Sequence, residues 1–323
     1  MASRRRFSSR IRQLYRRNQL AFQLLLILGG TLLVIGGFIL YAKQFMGTRA
    51  PAFNEEPTLT EEEMEVFVQR PADQAFPQPV SGERHTLRAV VDYALTAHGG
   101  RTRLEGVRTL RRIGTVELRQ ADGSTSEMDA TIIYRRPDRI RYVYEADGRS
   151  ATIAYDGQEA WQQFRSFGQP GSVTTVPTED RRLIEIDLVT TQPLSLTLQR
   201  LDQLQLLPPE RPLDALDEAT TQEPYRVRRE LSDMLDTLHF DPENFLLVRR
   251  TVELLGTEGE PLVIEIEYED YRYVDRIAFP FRLRSTLSGE LSNVLRLERI
   301  ELNPGVLPYV FERPEDPEAP AGG

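Results

Sequence analysis

The period of hydrophobic and polar positions changes several times along the chain, and each change predicts an element. Residues 20 to 42, LAFQLLLILGGTLLVIGGFILYA, hold no charge and a single amide, Gln23. About 20 apolar residues suffice for a helix to cross a bilayer, so this stretch predicts a membrane anchor. A cleavable signal peptide is the competing reading, but its apolar region normally runs only about 7–15 residues. Thr60 and Glu63 have capping-box spacing for a short helix ending before Pro71, and ADQAFPQPVSGER reads as linker. The next segment, TLRAVVDYALTAHGG, sets Leu87, Val90, Val91, Ala94 and Leu95 on one face of a helix that Gly99 and Gly100 end.

Strand patterns follow. GTVELRQ, TSEMDATIIY, RIRYVYE and SATIAY are rich in Val, Ile, Thr and Tyr. Asp-Gly pairs at 122–123, 147–148 and 156–157 punctuate them as hairpin signals, which predicts an antiparallel meander. The last hairpin turns on Asp156 and Gly157 and returns through QEAWQQF. TEDRRLIEIDLVTTQPLSLTLQRLDQLQLLPPERP then predicts helices, divided at Pro193 and ended at Pro208. Leu194, Leu198, Leu201 and Leu204 have the spacing of a helix lying flat on an apolar surface. In PLVIEIEYED, Ile264, Ile266 and Tyr268 oppose Glu265, Glu267 and Glu269. In FRLRSTL, Phe281, Leu283, Ser285 and Leu287 oppose Arg282, Arg284 and Thr286, as in a sheet with one wet face. NVLRLERIEL slips phase between Leu297 and Ile300, which predicts a bulge or strong bend.

The order helix, meander, helices, meander fits two small domains or one. We favour one: an α+β fold whose single curved antiparallel sheet carries helices over its apolar concave face. The predicted divisions are an arginine-rich segment over 1–19, an anchor over 20–42, a linker with a short helix over 43–83, a folded domain over 84–314 and a disordered, proline- and acid-rich tail over 315–323.

Charge fixes the expected orientation. Residues 1 to 18 hold seven arginines and no acid, whereas only Lys43 and Arg49 closely follow the apolar stretch. The positive-inside rule then puts the N-terminus in the cytoplasm and the folded domain outside. The net charge is −9 even with those arginines, and an acidic body repels phosphates, which argues against nucleic acid. The absence of cysteine excludes disulfides, thiol catalysis and cysteine metal sites. His85, His98 and His239 form no metal or catalytic spacing, and no nucleophile elbow or phosphate loop occurs. His98, in the last turn of its helix, reads as a residue compatible with the helix dipole. No enzyme, metal or cofactor is expected.

Six pieces, in order, carry a resemblance: AHGGRTRLEGVRTLRRIGTVEL, YRRPDRIRYVYE, AYDGQEAW, HFDPENFLLVRRTVELLG, YEDYRYVDRIAFPFRL and ELNPGVLPYVFERP. Together they are similar to the LolA-like family of bacterial outer-membrane lipoprotein-sorting and carrier proteins. The resemblance implies an unclosed β-barrel with helices as a lid and an apolar cavity for the acyl chains of lipid or lipoprotein. The anchor departs from the soluble carriers, and the lack of a lipidated cysteine departs from the outer-membrane acceptors. Both departures point to a periplasmic lipid or lipoprotein handler tethered to the bacterial inner membrane. A domain that binds other envelope proteins, in sensing or regulation, is the alternative. The expected cavity lining is Trp161, Tyr142, Tyr144, Ile153, Tyr155, Ile264, Ile266 and Leu283. For Trp161, the lone tryptophan, core packing competes with a place facing the ligand.

Overall fold

The computed structural model describes residue 76 and residues 84–119, 124–167, 171–210, 223–255 and 262–314. The predicted anchor, the capping-box helix, the 122–123 turn and the tail lie outside the described residues. Among the described residues, no helix is long and apolar enough to cross a membrane.

Helix α1, Leu87–Ala97, forms where the period-3.6 pattern predicts it. Thr86 caps it by accepting from the Ala89 amide, and Val90, Val91, Ala94, Leu95 and Ala97 are buried. Gly99, at φ 108°, lets the chain leave the helix against the sheet; a Cβ there would stand 2.4 Å from the Arg276 carbonyl oxygen. A short helix α2, Arg101–Gly106, follows.

The strands are β1 Thr109–Arg119, β2 Thr125–Arg135, β3 Arg139–Ala146, β4 Arg149–Tyr155, β5 Ala160–Ser166, β6 Val173–Thr175, β7 Leu204–Leu206, β8 Tyr225–Leu231, β9 Met234–Phe240, β10 Leu247–Leu254, β11 Leu262–Val274, β12 Ile277–Leu287 and β13 Glu290–Leu302. They form one 13-stranded sheet in the order β6-β5-β4-β3-β2-β1-β13-β12-β11-β10-β9-β8-β7. The chain therefore starts mid-sheet, walks out to one edge, crosses to the other and walks back. The pairing of β1 with β13 joins the two meanders into one antiparallel sheet, which decides against two domains. Strands β6 and β7 are the free edges, so the barrel is unclosed.

The crossing segment carries α3, Thr178–Thr191, and α4, Leu194–Thr197. It also reveals the curvature. Asp187 of α3 meets Tyr142 on β3, while Val189 and Thr190 meet Arg250 on β10. Strands β3 and β10 are six steps apart, roughly 29 Å on a flat sheet at about 4.8 Å per step. Those helix residues fall within one turn, about 5.4 Å of rise. The sheet must curl around α3 for both contacts to exist.

Two bulges on β13 assist the bend. Register shifts opposite Ile113/Gly114 and Ser285/Thr286 leave Glu298 and Ser292 as extra residues. Glu298 lies inside the predicted phase slip. Gly114 is required where β13 presses closest, since a Cβ would stand 2.0 Å from the Arg296 carbonyl oxygen.

The turns divide. Asp147 and Gly148 have φ of 51° and 72°, the two-residue hairpin geometry that an Asp-Gly pair predicts. Asp156 and Gly157 instead belong to a four-residue loop. Tyr155 pairs with Ala160, the Asp156 carboxylate accepts from the Gln158 and Glu159 amides, and only Gly157 has positive φ. The predicted helical run also breaks early. A single 3-10 turn, Leu201–Gln203, precedes β7, and Leu204 is buried as a strand residue pairing with Arg229. The leucines face the core, but Pro193 and the need to reach the sheet edge prevent one continuous helix.

Candidate functional site

Alternation along the strands selects what faces inward. On β1, Leu110, Val116 and Leu118 point to the concave side, and Arg112 falls in the same phase. Its cross-strand row runs through Ile132 on β2 and Tyr142 on β3. From the other half, Ile266 and Tyr268 of β11 and Leu283 and Ser285 of β12 face the same space, which Asp187, Thr190 and Thr191 of α3 roof over. The cavity, partly open to solvent, measures about 140 Å³, against the roughly 10–15 Å³ that one water needs. Its wall is mainly apolar and aromatic, with a few convergent polar groups, as small-molecule sites are.

Those polar groups form two clusters that tie the lid to the sheet. In the first, the Tyr142 hydroxyl donates to Asp187 Oδ2, and the Thr190 hydroxyl donates to Asp187 Oδ1 at 3.1 Å. Burial pushes the Asp187 carboxyl up, opposed by these hydroxyls and by the charges of Arg112 and Arg250. Burial, then the Asp187 charge, pushes the Tyr142 phenol well above its usual value. In the second cluster, Asp236 is wholly buried and accepts two hydrogen bonds from Arg250 at 2.7 Å each and one from Arg229 at 2.8 Å. Arg250 then donates to the Thr190 and Val189 carbonyls at 3.2 and 3.3 Å. These belong to the last turn of α3, whose carbonyls lack helical partners. Burial acts to raise the Asp236 carboxyl, but the two guanidiniums overcome it and hold it below the usual range.

His98 lines the cavity beside α1. Its Nδ1 is 2.8 Å from the Ala94 carbonyl and must donate there, so Nε2 accepts from the Leu247 amide at 3.4 Å. This neutral tautomer corrects the dipole reading, which suits a cation. Burial pulls its pKa to about 4, and burial with the Arg249 and Arg226 charges does the same for His239. A base with a lowered folded pKa contributes stability that is complete above pH 6.5 and lost as pH falls toward 4. At about 1.4 kcal/mol per pH unit, His98 alone removes roughly 3 kcal/mol over that window. Urea unfolding at pH 7.0 and 4.5 is expected to show this loss, and His98→Gln is expected to flatten the slope.

Of the residues expected to line the cavity, Tyr142, Tyr144, Ile266 and Leu283 do so. Ile153, Tyr155 and Ile264 share the concave side but are packed into the core away from the opening. The Tyr155 hydroxyl is occupied with the Gly157 carbonyl and Arg181. Trp161 is placed differently from the ligand-facing reading. Ala160, opposite Tyr155, enters the main core, so alternation sends Trp161 to the convex face with Ala154 and Val173. There its indole N–H donates to the Phe311 carbonyl at 2.8 Å. The chain after β13 straps this face: Arg135, Arg141 and Trp161 donate to the Val306, Val310 and Phe311 carbonyls. Trp161 is therefore core packing under a strap. Sequence reading missed Arg112, Asp187, Asp236 and Arg250, although three of them break the apolar phase of a strand.

No family model and no curated relative matches this chain. Solved structures to which it is similar include a DUF1329 family protein from Desulfovibrio piger, at 12% identity and a TM-score of 0.46, covering 71% of this chain and 98% of that one. A putative outer membrane lipoprotein-sorting protein domain from Vibrio parahaemolyticus matches at 13% identity and a TM-score of 0.41, covering 68% and 95%. A LolA superfamily protein from Nitrosomonas europaea matches at 13% identity and a TM-score of 0.44, covering 71% and 99%.

Proposed function

We propose that this protein binds an acyl chain of a lipid or lipoprotein in the cavity under α3, without catalysis, as a handler tethered to the inner membrane with its folded domain in the periplasm. The observation that carries this reading is the cavity itself: an unclosed sheet curled around an apolar and aromatic space, roofed by one helix. Burying apolar chain there gains about 0.8 kcal/mol per methylene, so a modest chain suffices for tight binding. The lid is bonded at its last turn to both sides of the bowl, which makes α3 the element to move for entry. The arginine-rich segment before the apolar stretch supports the tethering and its orientation.

Native mass spectrometry of the exported fragment, purified without detergent from a bacterial envelope, tests the reading. The fragment must begin before Phe76, because that ring is buried against Tyr93 and Phe245. A lipid or acylated peptide retained at one per chain is the expected result. An empty protein that also takes up no added lipid would overturn it, and a stable protein partner captured by that empty form would identify an interaction domain instead.

A further inference from the structure

Arg112 is the one cavity-lining cation among the described residues whose guanidinium is not already engaged. Arg250, the other, spends its donors on Asp236 and the α3 carbonyls. Arg112 lies partly buried on the concave side of β1, in a cross-strand row with Ile132 and Tyr142, and keeps surface open to the cavity. Among the described residues it makes no hydrogen bond and no ion pair within 4 Å. Asp187, Tyr268 and Tyr142 act on it only through space. Asp187 makes no ion pair with it and accepts instead from the Tyr142 and Thr190 hydroxyls. Of the charged side chains that line the cavity, two are guanidiniums (Arg112 and Arg250) and one is a carboxylate (Asp187). A partly buried cation with no hydrogen-bonded partner is costly, and the excess at the cavity wall is positive. Burial drives the Arg112 pKa down, opposed by Asp187, Tyr268 and Tyr142.

We propose that Arg112 is a head-group anchor: the ligand is an acidic amphiphile whose carboxylate or phosphate accepts hydrogen bonds from this guanidinium while its chain lies along the apolar wall. This rests on the acyl-binding reading and narrows it to anionic ligands. A guanidinium offers forked donors that match both anions, so the shared chemistry is a terminal, bidentate oxyanion. The chain then runs beside Ile132, Tyr144 and Leu283, which keeps the apolar surface buried and the charge paired in one pose.

The test uses the full-length chain in amphipol and the displacement of a neutral apolar fluorescent dye, N-phenyl-1-naphthylamine, by three probes of equal chain length: hexadecanoate, hexadecyl phosphate and hexadecanol. The acids are expected to bind about 10- to 100-fold more tightly than the alcohol, the range for a hydrogen bond to a charged group. Arg112→Gln is expected to erase that preference while leaving hexadecanol unchanged, and Arg112→Lys to keep part of it. The tighter of the two acids identifies a carboxylate or a phosphate as the natural head. Equal binding of acids and alcohol by the unaltered protein overturns the proposal, as does an Arg112→Gln chain that weakens all three alike. If none of the three displaces the dye, the acyl-binding reading itself falls, and this inference with it.

Discussion

Replacing Asp236 by asparagine is expected to cost about 3–5 kcal/mol of stability, the range for removing one partner from a buried ion pair. The carboxylate has no exposed surface and holds two guanidiniums, one of them 2% exposed and the other 11%. Asparagine keeps the shape but removes the charge, leaving Arg250 and Arg229 to repel each other within the core. For a domain of this size the loss corresponds to a fall in Tm of roughly 6–20 °C by thermal unfolding. The triple change Asp236→Leu, Arg250→Met and Arg229→Met is expected to recover most of it, since no member of this cluster is then left as an unpaired charge. A cost below about 1 kcal/mol for Asp236→Asn would mean that water reaches the cluster. The pH dependence has the same sign. The folded carboxyl is held low by its two arginines, so its contribution is present above the usual carboxylate range and lost as pH falls through the lowered value. That loss lies below the window in which His98 acts.

The cluster also explains why the lid sits where it does. Arg250 is fixed by Asp236 before it reaches α3, so its bonds to the Val189 and Thr190 carbonyls come from a rigid fork. On the opposite side, Asp187 reaches Tyr142 from the same helix turn. The lid is thus latched by polar contacts at one end, while Leu183, Ile184, Ile186 and Leu188 bury its apolar side chains.

Much of this architecture is legible in the chain, because alternation is a strong signal. The wet face of β11 and β12 is the predicted one: Glu267 meets Arg249 and Arg284, and Glu269 meets Arg282, all on the solvent side. Ile266 and Leu283 face the cavity for the same reason. The face of Trp161 is not legible, since Ala160 and Trp161 are both buried and alternation there gives two apolar answers. The deciding fact is remote: the strap residue Phe311, 150 positions later, covers the convex side. The cavity's polar groups are half legible. Arg112, Asp236 and Arg250 occupy apolar phases of β1, β9 and β10, and a charge in that phase asks for a partner. Which partner answers depends on curvature, because Asp187 and Thr190 reach Tyr142 and Arg250 only once the sheet has curled.

The largest functional effect is expected from Leu283→Trp. Leu283 lines the cavity from β12, mid-wall, and the added indole ring would occupy space that the ligand's chain needs. Overpacking a full core costs about 1–3 kcal/mol, but here the extra volume has a cavity to enter, so the fold should survive near the lower figure. Displacing about four methylenes from the wall forfeits roughly 3 kcal/mol of binding, a fall of about 100-fold in affinity. Retained ligand, weighed by native mass spectrometry, should therefore drop below detection while Tm and far-ultraviolet circular dichroism change little. Arg282→Trp is the matched control. It places the same ring one residue away, on the face where Arg282 pairs with Glu269, and should leave retention intact. Equal loss in both variants would mean that any bulky change in β12 disturbs binding through the sheet. Equal retention in both would place the ligand outside the bowl, and the aromatic wall around Tyr142 and Tyr144 would then be packing alone.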